Sequence, residues 1–110
     1  MKTYVFDIDG TICSNTRGDY ESAKPHMSRI HKINSLYDQG AQIIFLTARG
    51  MGSNANNIQI AKNKWEEITK EQLREWGVKY HLLFMGKPAG DLYIDDKGTK
   101  DTDFFNDLIH

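Results

Sequence analysis

An apolar run, Thr3 to Phe6, stops at Asp7, and Ile-Asp-Gly-Thr11 follows at once. Three more short apolar runs recur down the chain: Gln42 to Leu46, His81 to Phe84, and Leu92 to Ile94. Each is continuous rather than alternating, the pattern of a strand covered on both faces of a parallel sheet. Parallel neighbours need a long crossover between them, so the intervening segments should be helical. They carry the signals. Pro25 suits a helix start, Met27, Ile30, Ile33, Leu36 and Tyr37 follow at helical spacing, and Gly40 supplies a stop. Ile58, Ala61, Trp65 and Ile68 predict a second helix. Thr69-x-x-Gln72 reads as a capping box opening a short third one, through Leu73 and Trp76 to Gly77. Asp101 to Ile109 reads as a final helix capped by Asp101 or Thr102.

Strand, helix, strand, helix, strand, turn, strand, helix predicts an α/β fold with a mostly parallel, Rossmann-like sheet between helical layers. With 110 residues the chain is one domain, 1–110. Fourteen basic residues against fifteen acidic ones leave a net charge of -1, so no global field draws it to nucleic acid or to an anionic membrane. One cysteine, Cys13, excludes an intrachain disulfide. Asp7 interrupts the apolar start too early for a secretory signal, and no run approaches the length of a membrane span. The expectation is a cytoplasmic protein that binds neither nucleic acid nor membrane.

In open parallel sheets, ligands bind at the carboxyl ends of the strands. Here those ends carry chemistry. Asp7 and Asp9 follow the first run and Thr47 the second; Lys87 comes shortly before the fourth, and Asp95-Asp96 follow it. Clustered carboxylates repel, so a cation must neutralise them or some must stay protonated. All-oxygen donors suit Mg²⁺, which takes one or two carboxylates and fills its shell with water and phosphate oxygens. His26, His31, His81 and His110 form no zinc pattern with Cys13. A hydroxyl and an ammonium beside the cation complete a phosphate cradle, and the reaction such a cradle suits is phosphoryl transfer.

The set Asp7-Ile-Asp-Gly-Thr11, Thr47, Lys87 and Asp95-Asp96 resembles the four motifs of the haloacid dehalogenase superfamily, in that order and over residues 4–97. Phe45-Leu-Thr-Ala-Arg-Gly50 and Gly86-Lys-Pro-Ala-Gly-Asp-Leu-Tyr-Ile-Asp-Asp96 resemble its small phosphatases of bacterial capsule and surface-polysaccharide pathways. The resemblance implies roles. Asp7 is the nucleophile that forms an aspartyl-phosphate. Asp9 protonates the leaving oxygen and then activates water. Thr47 binds phosphoryl oxygens, and Lys87 balances charge. The Asp7 carboxylate, the Asp9 carbonyl, and Asp95 or Asp96 hold Mg²⁺. Neither the 12–24 nor the 48–80 stretch is long enough for a folded cap, so the chain resembles the capless members, and it is expected to cover its site by forming a dimer or tetramer.

The expected activity is therefore a Mg²⁺-dependent phosphatase acting on a small phosphorylated metabolite, a sugar or polyol phosphate. The alternatives are a phosphatase of nucleic-acid ends or protein phosphate and, outside enzymes, a phospho-accepting receiver domain. The motif order disfavours the receiver, since Lys87 precedes the last acid pair and no Asp ends the middle strand. Arg49 has two open readings, a substrate anion contact or a surface arginine. Trp65 reads as a core residue, with substrate stacking as its alternative. Cys13 reads as packing and Asp91 as a turn residue.

Overall fold

The computed structural model describes residues 1–107. Strands β1 (Thr3–Phe6), β2 (Gln42–Thr47) and β3 (Leu82–Met85) form one sheet in the order β1-β2-β3. Both pairings are parallel, with Val5 opposite Ile44 and Ile44 opposite Leu82. Helices α1 (Met27–Asp38) and α2 (Ile58–Glu75) make the crossovers, and a short α3 (Asp101–Phe105) follows the sheet. The expected α/β architecture with a parallel sheet is present. No described helix is long and apolar enough to cross a membrane.

The chain starts α1 just after Pro25 and ends it at Gly40, whose φ of 96° lets the Ala41 amide turn back and donate to the Leu36 carbonyl. Helix α2 is capped by Asn57, whose side chain accepts from the Ile60 amide at 3.1 Å. The inward stripes of α1 and α2, Ile30, Ile33 and Leu73, bury against Phe6, Ile43 and Phe45. Phe105 of α3 stacks on Phe6, and Phe104 meets Tyr4 and Phe6 edge-on. The strand residues among these, Tyr4, Phe6, Ile43 and Phe45, sit in one row of the pleat, and burial alternates along β2. The other row stays half open: Val5, Leu82 and Phe84 are 59%, 42% and 50% exposed. Cover on both faces, expected from the continuous runs, is therefore not seen among the described residues. The second helical layer is missing there, since α1, α2 and α3 all pack on the first row.

Two further expectations are corrected. Leu92 to Ile94 form no strand; Leu92 and Ile94 stand 79% and 90% exposed. Local bonds hold this stretch in turns instead. The Tyr93 hydroxyl donates to the Pro88 carbonyl at 2.7 Å and accepts from the Gly90 amide, and Asp95 Oδ1 accepts from the Lys97 and Gly98 amides. Such side-chain bonds compete directly with a ladder. Thr69-x-x-Gln72 opens no helix; it lies inside α2, which runs unbroken from Ile58 to Glu75. At the other end of the chain, Asp101 does not cap α3, because its carboxylate is turned to Arg29. Thr102 makes no side-chain cap either, and Ile109 lies outside the described residues.

Candidate functional site

The carboxyl ends of the three strands bring Asp7, Thr47 and Lys87 together. Asp7 follows β1, and its Oδ1 accepts from the Ile8 amide at 2.9 Å, which fixes the rotamer. Its Oδ2 lies 3.7 Å from Lys87 Nζ. Lys87 reaches this point because its own amide donates to the Thr47 carbonyl at 3.1 Å, extending the β2–β3 register by two residues. Tyr93 lies under the ammonium, with its ring centroid 4.1 Å from Nζ. Thr47 is 1% exposed; its hydroxyl oxygen accepts from the Arg49 amide at 3.2 Å, leaving its O–H free to donate.

Burial pushes the Asp7 carboxyl above the ordinary carboxylate range; Lys87 and the Ile8 amide counter this in part, and Asp9 adds to it. The ionised carboxylate is thus electrostatically under-compensated. An added cation at Asp7 would relieve it.

Asp9, two residues on, is paired with Arg49. Its two oxygens accept from Arg49 Nε and Nη2 at 2.9 and 3.0 Å, a bidentate fork. Arg49 is 1% exposed, and every N–H it owns has an acceptor. Nη1 donates to Thr69 Oγ1 at 3.2 Å and Gln72 Oε1 at 2.6 Å, and Nη2 also meets Cys13 Sγ at 3.9 Å. A guanidinium with five donors and five acceptors has nothing left for a substrate anion. Neither reading of Arg49 from the sequence fits: it is neither a surface residue nor placed to contact substrate. Cys13 packs as expected, 5% exposed, and burial pushes its thiol up to about 12, so it is no nucleophile.

Asp95 and Asp96 do not join Asp7. Both are exposed, and the acidic group acting on Asp7 is Asp9. Among the described residues no group of three His, Cys, Asp or Glu side chains is placed to hold a metal. Of the expected carboxylate ligands, Asp7 thus stands without Asp95 or Asp96 beside it.

Three residues around Arg49 carry no role in the sequence reading: Tyr20, Thr69 and Gln72. Thr69 and Gln72 are 0% and 8% exposed on the inner stripe of α2. A signal existed. In one long helix they fall on the same stripe as Ala61, Trp65 and Leu73, and polar residues on a buried stripe demand a buried partner. Reading them as a capping box hid that demand. Trp65 meets the Tyr20 ring edge-on at 4.7 Å, so it packs within the chain.

No protein-family model matches the chain, and no curated protein matches it. Solved structures do. A crystal structure of a Vibrio cholerae protein aligns with a TM-score of 0.88 and 27% identity, covering 99% of this chain and 91% of that one. A chain of a Pnkp1/Rnl/Hen1 complex aligns at 0.59 and 23% identity, covering 86% of this chain and 30% of its own length. A chain of the Pnkp1/Rnl/Hen1 RNA repair complex aligns at 0.56 and 20% identity, covering 96% of this chain and 29% of its own. The likeness shows a shared α/β fold, which makes up nearly all of the first protein and under a third of the other two chains.

Proposed function

We propose that this chain is a phosphomonoesterase of the haloacid dehalogenase type, with Asp7 as nucleophile. The observation that carries the reading is the meeting of Asp7 and Lys87 at 3.7 Å, beside the buried Thr47 hydroxyl, at the carboxyl ends of three adjacent strands. Asp7 Oδ2 attacks phosphorus, the P–O bond to the leaving group breaks, and the leaving oxygen takes a proton from Asp9. Water, deprotonated by Asp9, then attacks the aspartyl-phosphate and releases inorganic phosphate. Lys87 and the Thr47 hydroxyl hold the phosphoryl oxygens. A divalent cation at the Asp7 carboxylate would supply the charge neutralisation that Lys87 alone leaves incomplete.

The substrate class follows from the sequence resemblance alone: a sugar or polyol phosphate. The RNA repair complex among the solved structures favours a second reading, a phosphatase of nucleic-acid ends. Against it, Lys62, Lys70, Arg74 and Lys79 are each within ion-pair distance of a carboxylate, so no free basic track crosses the surface they occupy. Self-association into a dimer or tetramer belongs to the first reading, and sedimentation equilibrium tests it.

The assay is phosphate release from a panel of phosphorylated metabolites and 3′- or 5′-phosphorylated oligonucleotides, with Mg²⁺ and with excess EDTA. The expected result is turnover of a small sugar or polyol phosphate that EDTA stops and Asp7→Asn abolishes. Turnover unchanged by Asp7→Asn contradicts the mechanism; turnover of oligonucleotides alone selects the second reading.

A further inference from the structure

The acid/base carboxylate, Asp9, sits in the loop after β1, where the Cys13 thiol donates to its Oδ1 at 3.5 Å. Its main hold is built from three places. Arg49, from the loop after β2, supplies the fork. Thr69 and Gln72, from the middle of α2, take both Nη1 hydrogens of that arginine. The third place is the stretch between Gly10 and Pro25. There Tyr20, in a single 3-10 turn (Tyr20–Ser22), lays its ring against the guanidinium at 4.9 Å. Its hydroxyl accepts from the Gly50 amide at 3.0 Å, and its carbonyl accepts from Gln72 Nε2 at 2.6 Å. Gln72 thus bridges the flap and the arginine, with Oε1 on one and Nε2 on the other.

The physical consequence is a closed circuit. Asp9 leads to Arg49, Arg49 to Gln72, Gln72 to Tyr20, and Tyr20 back to the face of Arg49 and to Gly50. Every polar atom in it is buried or half-buried, so an atom released from its partner inside the circuit loses a bond it does not recover from water. The flap cannot shift at Tyr20 without unseating Gln72 or uncovering Arg49, and either shift reaches the Asp9 carboxylate.

We infer that Tyr20 and Gln72 are positioning residues for the acid/base Asp9, acting through Arg49, so that the seating of the flap sets the proton-transfer step. The inference rests on the phosphatase reading, in which Asp9 moves the proton. None of the three touches substrate. Arg49 has no free donor, Gln72 has both ends engaged, and Tyr20 faces Arg49 and Trp65.

The test separates positioning from general support of the fold. Tyr20→Phe removes one hydroxyl and keeps the ring; Gln72→Leu keeps the bulk and removes both bonds. Each is assayed on two phosphate esters of the substrate class found active, one with an alkyl leaving group and one with an activated aryl group that departs without a proton. Proton transfer is worth typically ~10²–10⁴ in rate, so a carboxylate out of position should cost the alkyl ester about 10-fold or more in kcat/KM. The kcat/KM of the aryl ester, set by a first step that needs no proton, should be nearly unaffected, while its kcat falls with the hydrolytic step. Equal losses on both esters, or a gain on the alkyl ester, overturn the inference. A second measurement needs no activity. Amide exchange in residues 10–24 and at Gly50 should accelerate in Gln72→Leu while the strand amides of β1 and β2 stay protected. Exchange unchanged in the flap overturns the coupling. If the wild-type protein hydrolyses no phosphate ester, the phosphatase reading fails, and exchange alone still decides whether the circuit exists.

Discussion

Asp7 carries a stability cost. Its pKa is raised chiefly by burial, so the folded state binds its proton more tightly than the unfolded chain does. The sign follows from linkage: above the folded pKa the ionised group lowers stability, and below the ordinary carboxylate value both states are protonated and the effect vanishes. Asp7→Asn mimics the protonated form. It should therefore melt above wild type at neutral pH in EDTA, and the gap should close as pH falls to about 3.8, the unfolded value. Thermal melts across pH check this; a variant less stable at pH 7 contradicts it. Asp9 has a different partner and a different signature. Asp9→Asn should lose turnover of alkyl phosphates yet give a burst with an activated aryl phosphate, because only the second, hydrolytic step then lacks its base. The meeting of Asp7, Thr47 and Lys87 was legible in sequence, since all three stand near where apolar runs stop. The state of Arg49 was not legible. Its loop position suits a substrate contact equally well, and only the count of its acceptors, drawn from residues 9, 13, 69 and 72, excludes that.

At the scale of elements, the tightest joint lies between the loop after β2 and the first half of α2. Gly50 sits at φ 77°, and a Cβ there would meet Trp65 Cδ1 at 2.5 Å and the Ala61 backbone at 3.1 Å. Gly50→Ala combines left-handed strain with overpacking and should cost about 3 kcal/mol. Gly40→Ala is the control. It has a similar φ and open space around it, so it should cost only about 1 kcal/mol. Urea midpoints of the two variants check the difference, and equal values contradict it. The displaced Trp65 would press on Tyr20, so Gly50→Ala should also depress turnover. Sequence patterning predicted β1, β2, β3 and α1 to within a residue or so, because short apolar runs and a Pro-to-Gly bounded helix leave little choice. It split α2 because Thr69 and Gln72 look alike as a cap and as a buried polar pair; the helix is continuous, with Glu66 facing Lys62 and Lys70 across the proposed break. It placed a strand at Leu92 to Ile94, where three apolar residues between acids are outcompeted by the turn bonds of Tyr93 and Asp95.

Across the whole molecule, two buried arginines bracket the loop that bears Asp7. Arg49 holds Asp9. Arg29, 2% exposed on α1, donates to the Thr11 carbonyl at 3.0 Å, to Asp101 at 2.7 Å, and in a bidentate pair to Asp107 at 2.8 and 2.9 Å. Arg29 thereby ties the end of the chain to the loop after β1. Its hydrogen bonds hold the Asp107 carboxyl below the ordinary range, and at Asp101 they outweigh the opposing effect of burial. Both shifts are downward, so the stability they bring is present above about pH 3.8 and is lost as pH falls through the folded values. Arg29→Met should cost about 3 kcal/mol at neutral pH, the low end for a broken buried pair, and should erase this acid transition. Denaturant melts at pH 7 and pH 3 check both parts; a neutral-pH loss that persists undiminished at pH 3 contradicts the ionic origin. The account stands most directly on a covalent intermediate at Asp7. The measurement is peptide mass spectrometry of an acid-quenched reaction of the Asp9→Asn variant with an activated aryl phosphate. The account predicts one added phosphoryl group on the peptide containing Asp7, absent in the Asp7→Asn, Asp9→Asn double variant. Product formed in a burst with no phosphoryl group on that peptide would contradict it.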